Sequence, residues 1–198
     1  MKILHIDSSS LGEHSVSRQL SAQIVAQLKS HDAAAQVTAR DVAAAPPAHL
    51  TGEILAAGFV DPAQWNDYQK AQKALGEEII NEFLAADVIV VGAPMYNFSI
   101  PSQLKAWIDR ICVAGRTFRY TEAGPQGLAG GKKVIVASSR GSQFGAGNPL
   151  DFQEDYLKTV FGFLGISEVT VIRAEGVSIS EDIKNAALAA ASKEIGAL

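Results

Sequence analysis

Three short polar segments of the chain each follow an apolar run, and the first of them is rich in serine. It holds Ser8, Ser9, Ser10, Ser15 and Ser17, directly before a helical pattern. Serine hydroxyls and free backbone N–H groups at a helix N-terminus bind phosphate, because the positive end of the helix dipole favours an anion there. No lysine lies in this segment, so we expect neutral donors to hold the phosphate. For Ser15 alone, simple capping of the helix is an equal alternative.

The second segment, Met95-Tyr96-Asn97-Phe98, lies between a buried run at Val88 to Val91 and a helix that opens at Pro101. It offers aromatic rings, free backbone N–H groups and an amide that both donates and accepts hydrogen bonds. These groups suit the ring and the polar chain of a flavin. As an alternative, Tyr96 and Phe98 are core aromatics.

The third segment, Ser139-Arg140-Gly141-Ser142, follows another apolar run. Gly141 allows close approach of the backbone to a ligand, and the polar residues suit the pyrimidine side of a flavin ring. For the Arg140 side chain, an ion pair at the surface is favoured over direct contact with the flavin.

The elements that must position these segments alternate between strand and helix about five times. Strands are predicted over Lys2 to Asp7, Gln36 to Asp41, Val88 to Val91, Lys132 to Ser138 and Glu168 to Ala174. Helices are predicted over Ser15 to Ser30, around Thr51 to Gly58, over Ala63 to Ala86, from Pro101, over Pro149 to Leu164 and after Ser180. The alternation predicts a three-layer α/β sandwich with a five-stranded parallel sheet and helices on both faces.

The strand order cannot be proved from the sequence, but five strands favour the flavodoxin-like order 2-1-3-4-5. In that order the loops after strands one, three and four meet at the switch point of the sheet. The three polar segments would then converge on one ligand. Between them, Thr117 to Thr121 has β character and Glu122 to Gly127 has turn residues. We expect this excursion to fold back over the sheet edge and cover a small substrate.

The composition favours one domain over residues 1–198, with 47% hydrophobic and 19% charged residues. The net charge of −4 without a basic stripe argues against nucleic acid as a partner. No apolar run approaches the roughly 20 residues of a membrane span. The single cysteine, Cys112, excludes an internal disulfide, fits a reducing cytoplasmic compartment and is interpreted as core filler.

Several other chemistries lack their sequence signature. No G-x-G-x-x-G follows the first strand, and no G-x-S-x-G nucleophile motif occurs. The four histidines are scattered without the spacing of metal ligands, so no metal is expected. A receiver-type signalling domain would need acidic residues where this chain has its serines.

Longer blocks of sequence carry a family resemblance. They are APMYNFSIPSQLKAWIDR at 93–110, GRTFRYTEAGPQGL at 115–128, GKKVIVASSRG at 131–141, FGFLGI at 161–166 and AEG at 174–176. Together with the serine segment, they resemble the FMN-dependent NADH-azoreductases, relatives of the NAD(P)H:quinone oxidoreductases on the flavodoxin-like fold. The resemblance spans most of the chain.

The resemblance implies a set of residues that bind FMN. They are Ser9, Ser15, Val16, Ser17, Met95, Tyr96, Asn97, Phe98, Ser139, Arg140, Gly141 and Ser142. Val16 would act through its backbone, and Ser142 stands where the family commonly has glycine. The resemblance also implies a homodimer with the site at its interface. The apolar substrate wall would come from Phe118, Tyr120 and Phe161 or Phe163, with a core position for the last two as an equal alternative.

The activity implied by the resemblance is two-electron transfer in a ping-pong order. NADH or NADPH would reduce bound FMN, and a quinone or an azo compound would then be reduced. The chemistry would belong to the flavin, and no catalytic side chain is assigned. A flavodoxin-like electron carrier is the main alternative, and a flavin-binding regulatory or scaffold domain is a third. The sequence leaves NADH against NADPH and the natural acceptor open.

Overall fold

The structure, a computed structural model, describes residues 1–145 and 147–198. Its strands are β1 (Lys2–Asp7), β2 (Gln36–Asp41), β3 (Val88–Pro94), β4 (Phe118–Thr121), β5 (Gly124–Gly127), β6 (Lys133–Arg140) and β7 (Glu168–Glu175). Its α-helices are α1 (Val16–His31), α2 (Gly52–Ala56), α3 (Asp67–Ala85), α4 (Ser102–Ile111), α5 (Glu154–Phe163) and α6 (Glu181–Ile195). Short 3₁₀ turns lie at Gly12–His14 and Pro62–Gln64.

Five of the strands form one parallel sheet in the order β2-β1-β3-β6-β7. The other two, β4 and β5, pair with each other as an antiparallel hairpin. When only the strands of the large sheet are counted along the chain, this order is the predicted 2-1-3-4-5. The flavodoxin-like α/β prediction is therefore confirmed in its architecture.

The apolar run in β3 is buried because the sheet is covered on both faces. Ile89 and Val91 belong to one core cluster, which also holds apolar residues of α3, α4 and α5. Val88 and Val90 belong to a second cluster, which holds residues of α1 and α6. Successive side chains of a strand point to opposite faces, so a central strand between two helical layers is apolar throughout.

Helix boundaries follow side-chain caps. Ser15 and Ser180 accept hydrogen bonds at the starts of α1 and α6, so the predicted cap at Ser180 is confirmed. Asn66 and Gln69 form a capping box at the start of α3, so this helix begins later than the predicted Ala63. None of the helices in the described residues combines the length and apolar content that a bilayer span requires.

The start of α5 is also later than predicted. The expected start at Pro149 is wrong, because the Asp151 carboxylate accepts from the N–H groups of Gln153 and Glu154. This local bonding holds residues 149–153 as a loop, and α5 begins at Glu154.

Two strand predictions need correction as well. β6 continues through Ser139 and Arg140, which the sequence placed in a loop, because they pair with Pro94 of β3 and Glu175 of β7. Gly124–Gly127 was predicted as a turn but is β5, paired with β4. In both cases a neighbouring strand stabilises an extended conformation that the local residues do not favour.

Gly92 of β3 lies close to residues of β1 and α1. A Cβ atom there would lie 2.6 Å from Asp7 Oδ1 and 3.2 Å from Ser21 Oγ. We expect Gly92→Ala to lower the free energy of unfolding by about 1–3 kcal/mol, as overpacking does. In the control Gly76→Ala, within α3, the new Cβ meets no described atom within 4 Å. We expect that change to raise stability by roughly 0.5–1 kcal/mol. Urea unfolding followed by circular dichroism compares the two, and a gain from both would contradict the packing argument.

Candidate functional site at the carboxyl edge of the sheet

The three polar segments emerge at the carboxyl ends of β1, β3 and β6, and direct contacts join them. The Ser9 hydroxyl lies 3.2 Å from the Tyr96 hydroxyl, which connects the first segment to the second. The Met95 N–H donates to the Ser139 carbonyl over 2.7 Å, which connects the second to the third. The structure thus brings the segments together at the switch point between β1 and β3, where open α/β sheets bind ligands.

The first segment presents free donors at the start of α1. Ser15 Oγ accepts from the Arg18 N–H over 3.3 Å and lies 3.0 Å from Ser17 Oγ, so Ser15 does cap the helix. The N–H groups of Val16 and Ser17 have no acceptor among the described residues. Two free amides and two adjacent hydroxyls form a cradle for an anion. Ser8 differs, because its buried hydroxyl donates to the Gly92 carbonyl.

The second segment forms a tight turn with unusual backbone angles. Tyr96 and Ser99 exchange two backbone hydrogen bonds of 2.9 and 3.1 Å. The two residues between them, Asn97 and Phe98, have φ of 48° and 71°. A left-handed conformation is tolerated by asparagine and strained for phenylalanine, and such strain is concentrated at functional sites. The turn leaves the N–H groups of Asn97 and Phe98 without acceptors among the described residues, and both side chains are exposed.

The third segment is hydrogen-bonded to the turn that follows β7. The carbonyl groups of Arg140, Gly141 and Ser142 accept from the N–H groups of residues 176–178. From the sequence, Gly141 is interpreted as allowing close approach of the backbone to a ligand. In the structure, a Cβ atom at Gly141 would lie 3.0 Å from the hydroxyl of Ser178, so this glycine also accommodates a protein neighbour.

Arg140 is a buried ion-pair residue. Its side chain is 1% exposed, and its guanidinium contacts Asp151 at 2.5 Å, Glu154 at 2.8 Å and Glu175 at 3.5 Å. Arg173 pairs with Glu154 from the other side. The ion pair favoured by the sequence is therefore present, but its predicted position at the surface is wrong, because β6 carries Arg140 into the interior.

The carboxylates around Arg140 hold the loops that follow β6. Burial acts to raise the pKa of Asp151, but the hydrogen bonds from Arg140 and from backbone N–H groups outweigh it and lower that pKa. Glu175 accepts from the N–H groups of Phe144 and Gly145 over 3.1 and 2.9 Å. Phe144 in turn meets Phe98 of the second segment edge to face. Arg140 is therefore linked to the second segment through Glu175 and Phe144.

Sequence reasoning missed Arg18. It lies in the first turn of α1, donates to the Ser9 carbonyl and forms a bidentate pair with Asp41. This pairing raises the pKa of Arg18 and lowers that of Asp41. Because Arg18 donates to a carbonyl and to carboxylates, the expectation that neutral donors hold the phosphate stays a prediction. A signal was available in the sequence, because acidic residues end the adjacent strands β1 and β2. In the structure, the carboxylate of Asp7 also lies 3.6 Å from Arg18.

The aromatic residues of the hairpin lie at the opposite edge of the sheet from the three segments. Phe118 meets Tyr120 and Phe163 with centroid distances of 5.6 and 4.6 Å, and Tyr120 is 76% exposed. The hairpin backbone packs against Gly165, where α5 ends near the amino ends of the strands. The hairpin therefore lies away from the three segments of its own chain, because the connection from α4 leaves at the far edge, and the expectation that it covers a small substrate stays a prediction.

The sequence left a substrate wall and a core position open for Phe161 and Phe163, and the structure places the two residues differently. Phe161 is fully buried in the core cluster with α3 and α4, so it offers no surface to a substrate. Phe163 is half-buried and belongs to the hairpin cluster. Cys112 packs against the same core, as predicted, and burial raises the pKa of its thiol to about 11. Within the described residues, no group of histidine, cysteine and acidic side chains is arranged to hold a metal ion.

Known proteins are similar to this chain over its whole length. A family profile described as a flavodoxin-like fold matches residues 1–198. A protein of Azospirillum brasilense named FMN-dependent NADH:quinone oxidoreductase is 57% identical over 202 residues, covering 100% of this chain and 97% of its own. One of the same name from Chromobacterium violaceum is 50% identical over 200 residues, with 100% and 99% covered. The chain belongs to the family of these FMN-dependent NADH:quinone oxidoreductases, within the flavodoxin-like fold.

A solved structure extends the likeness to an FMN complex. It is an FMN-dependent NADH-azoreductase of Bacillus anthracis str. Ames Ancestor in complex with FMN, with a TM-score of 0.90 at 25% identity over 99% of this chain and 96% of that one. The resemblance to azoreductases drawn from the motifs is thereby confirmed. The donor set also fits FMN: hydroxyls and free amides at α1 suit a phosphate, and the free amides of Asn97 and Phe98 suit the polar edge of a flat ring.

The Arg140 cluster should dominate the stability of this edge. We expect Arg140→Met to lower the free energy of unfolding by about 3–5 kcal/mol, because it leaves buried carboxylates without a partner. In the control Arg116→Met, an exposed pair with Glu77 is lost. That loss should cost less than about 1 kcal/mol. Chemical unfolding of both variants measures the difference, and equal losses would show that the buried cluster contributes no more than a surface pair.

Proposed function

We propose that this chain is an FMN-dependent oxidoreductase that transfers two electrons from NADH or NADPH to quinones and azo compounds. The observation that carries the proposal is the junction of three donor-rich segments at one sheet edge, within a chain that matches full-length FMN-dependent relatives. FMN supplies the redox chemistry when bound: it accepts hydride from the nicotinamide and passes two electrons to the acceptor in a ping-pong order.

Each segment has its own task in binding FMN. Ser9, Ser15, Ser17 and the Val16 N–H hold the phosphate. The second segment, Met95 to Phe98, follows the ribityl chain and the ring. The third, Ser139 to Ser142, borders the ring edge, where backbone N–H groups stabilise negative charge on the reduced flavin. Arg140 acts there through the loops that its carboxylate partners hold, without direct contact.

The domain proposed for this task spans residues 1–198, and the single cysteine fits a cytoplasmic location. The substrate wall comes from a second copy of the chain. Phe118, Tyr120 and Phe163 form an aromatic cluster at the edge opposite the FMN segments, so they cannot reach the site of their own chain. A two-fold dimer would place this cluster over the flavin of its partner. The high exposure of Tyr120 supports this arrangement, because a tyrosine ring is a common anchor at interfaces.

The activity has a direct spectroscopic test. We expect the purified chain to bind FMN and turn yellow, to bleach without oxygen on addition of NADH or NADPH, and to regain its colour with menadione or methyl red. Comparison of the two nicotinamides in this titration determines the electron donor. A colourless chain that gains no activity from added FMN would contradict the proposal. Accumulation of a one-electron-reduced flavin would favour the electron carrier.

The shared site can be tested by mixing two inactive variants. Val16→Pro removes one free N–H at a position where proline is compatible with a helix start, and Tyr120→Ala removes the aromatic wall. Each alone should lose most quinone reduction. After unfolding and refolding together, mixed dimers hold one intact site, so about a quarter of wild-type turnover should return if pairing is random in a two-fold dimer. Refolded single variants are the control, and no gain on mixing would contradict a shared site.

A further inference from the structure

The guanidinium of Arg18 is held between the first segment and the ends of two strands. Its Nε and Nη2 atoms donate to the Ser9 carbonyl over 3.2 and 2.9 Å. Its Nη1 and Nη2 atoms donate to the two carboxylate oxygens of Asp41 over 2.6 and 2.8 Å. This arrangement uses two sides of a planar fork, which a lysine ammonium cannot reproduce.

The contact with the Ser9 carbonyl also orients the next N–H. The carbonyl of Ser9 and the N–H of Ser10 belong to one trans peptide, so they point in opposite directions. The Ser10 N–H donates to the Tyr96 hydroxyl of the second segment over 3.2 Å. By holding the carbonyl on the outer side, Arg18 keeps the N–H turned towards the junction of the segments. Without that hold, the peptide loses two hydrogen bonds to its carbonyl and keeps the bond from the Ser10 N–H to Tyr96, so we expect its oxygen to turn towards an anion more readily.

Arg18 also balances the charges around the phosphate cradle. In the sequence it is the only lysine or arginine between Lys2 and Lys29. Asp7 and Asp41 end β1 and β2 at the same edge, and both lie within 4 Å of the guanidinium. A cation in the first turn of a helix is disfavoured by the helix dipole. Its presence there is explained by these carboxylates, which would otherwise repel a bound phosphate.

We propose that Arg18 is the positioning residue of the phosphate site and sets the preference of the chain for a phosphorylated flavin. It does so by fixing the Ser9–Ser10 peptide and by neutralising Asp7 and Asp41. The inference rests on the proposed function, which places the FMN phosphate at the start of α1. Its consequence is specific: Arg18 should matter for FMN and not for riboflavin, which has the same ring without the phosphate.

The test compares the affinities of the two flavins for the full-length chain freed of flavin. Quenching of flavin fluorescence gives both dissociation constants, and their ratio is the readout. We expect Arg18→Met to weaken FMN binding by on the order of ten- to a hundredfold, the range of charged hydrogen bonds, with riboflavin binding nearly unchanged. Arg18→Lys should restore part of the ratio, because it retains the charge without the fork.

The matched control is Arg40→Met. Arg40 precedes Asp41 in β2 and forms a similar partly buried pair with Glu82 of α3, away from the first segment. The Arg40→Met substitution should lower stability and leave the ratio of the FMN and riboflavin affinities at its wild-type value. If Arg18→Met weakens both flavins equally, or neither, the inference is overturned. If the wild-type chain itself binds FMN no more tightly than riboflavin, the placement of the phosphate in the proposed function fails first.

Discussion

The parallel pairing of β3 between β1 and β6 is the constraint on which the site depends. Asp7, the last residue of β1, lies opposite Gly92, and β3 and β6 continue side by side to Pro94 and Arg140, so the three strands end at the same side of the sheet. Polar segments that are distant in sequence must therefore emerge side by side. The pairing needs a strand that tolerates burial on both faces, and the β-branched residues of β3 meet that need.

The same geometry explains the charges at this edge. Adjacent parallel strands bring their last residues together, and buried charges require a partner. Arg18 is paired with the acidic residue that ends β2, and Arg140 with the one that ends β7. Each arginine is also linked to one of the three polar segments. Arg18 holds the Ser9 carbonyl directly, whereas Arg140 acts through Glu175 and the loop that follows β6.

The chain separates its polar groups from its aromatic ones. The three polar segments, with their free amides and hydroxyls, lie where the strands end, and the cluster around Phe118 lies where they begin. Each helix that follows a strand returns the chain to the opposite edge, so a hairpin inserted after α4 cannot reach the polar edge of its own sheet. In the proposed dimer, the second copy supplies the aromatic cluster that the topology keeps away from the polar edge of each chain.

The sequence by itself determined the alternation of strands and helices, the parallel sheet and the three donor segments. These rest on local patterns: the apolar run of β3, the serines before α1 and the turn residues after β3 and β6. The motif blocks added the family and its cofactor. The left-handed conformation of Phe98, by contrast, has no local signal, because phenylalanine adopts it only under the constraint of its neighbours.

Only the tertiary structure decided which partners surround the two arginines and the phenylalanines of α5. Arg140 is read from the sequence as a surface residue, but pairing with β3 and β7 extends β6 and buries it among carboxylates. Arg18 becomes part of the first segment because β2 brings Asp41 beside α1. Phe161 enters the core and Phe163 the hairpin cluster because of the face of α5 on which each lies. All of these outcomes depend on partners distant in sequence, which local patterns do not encode.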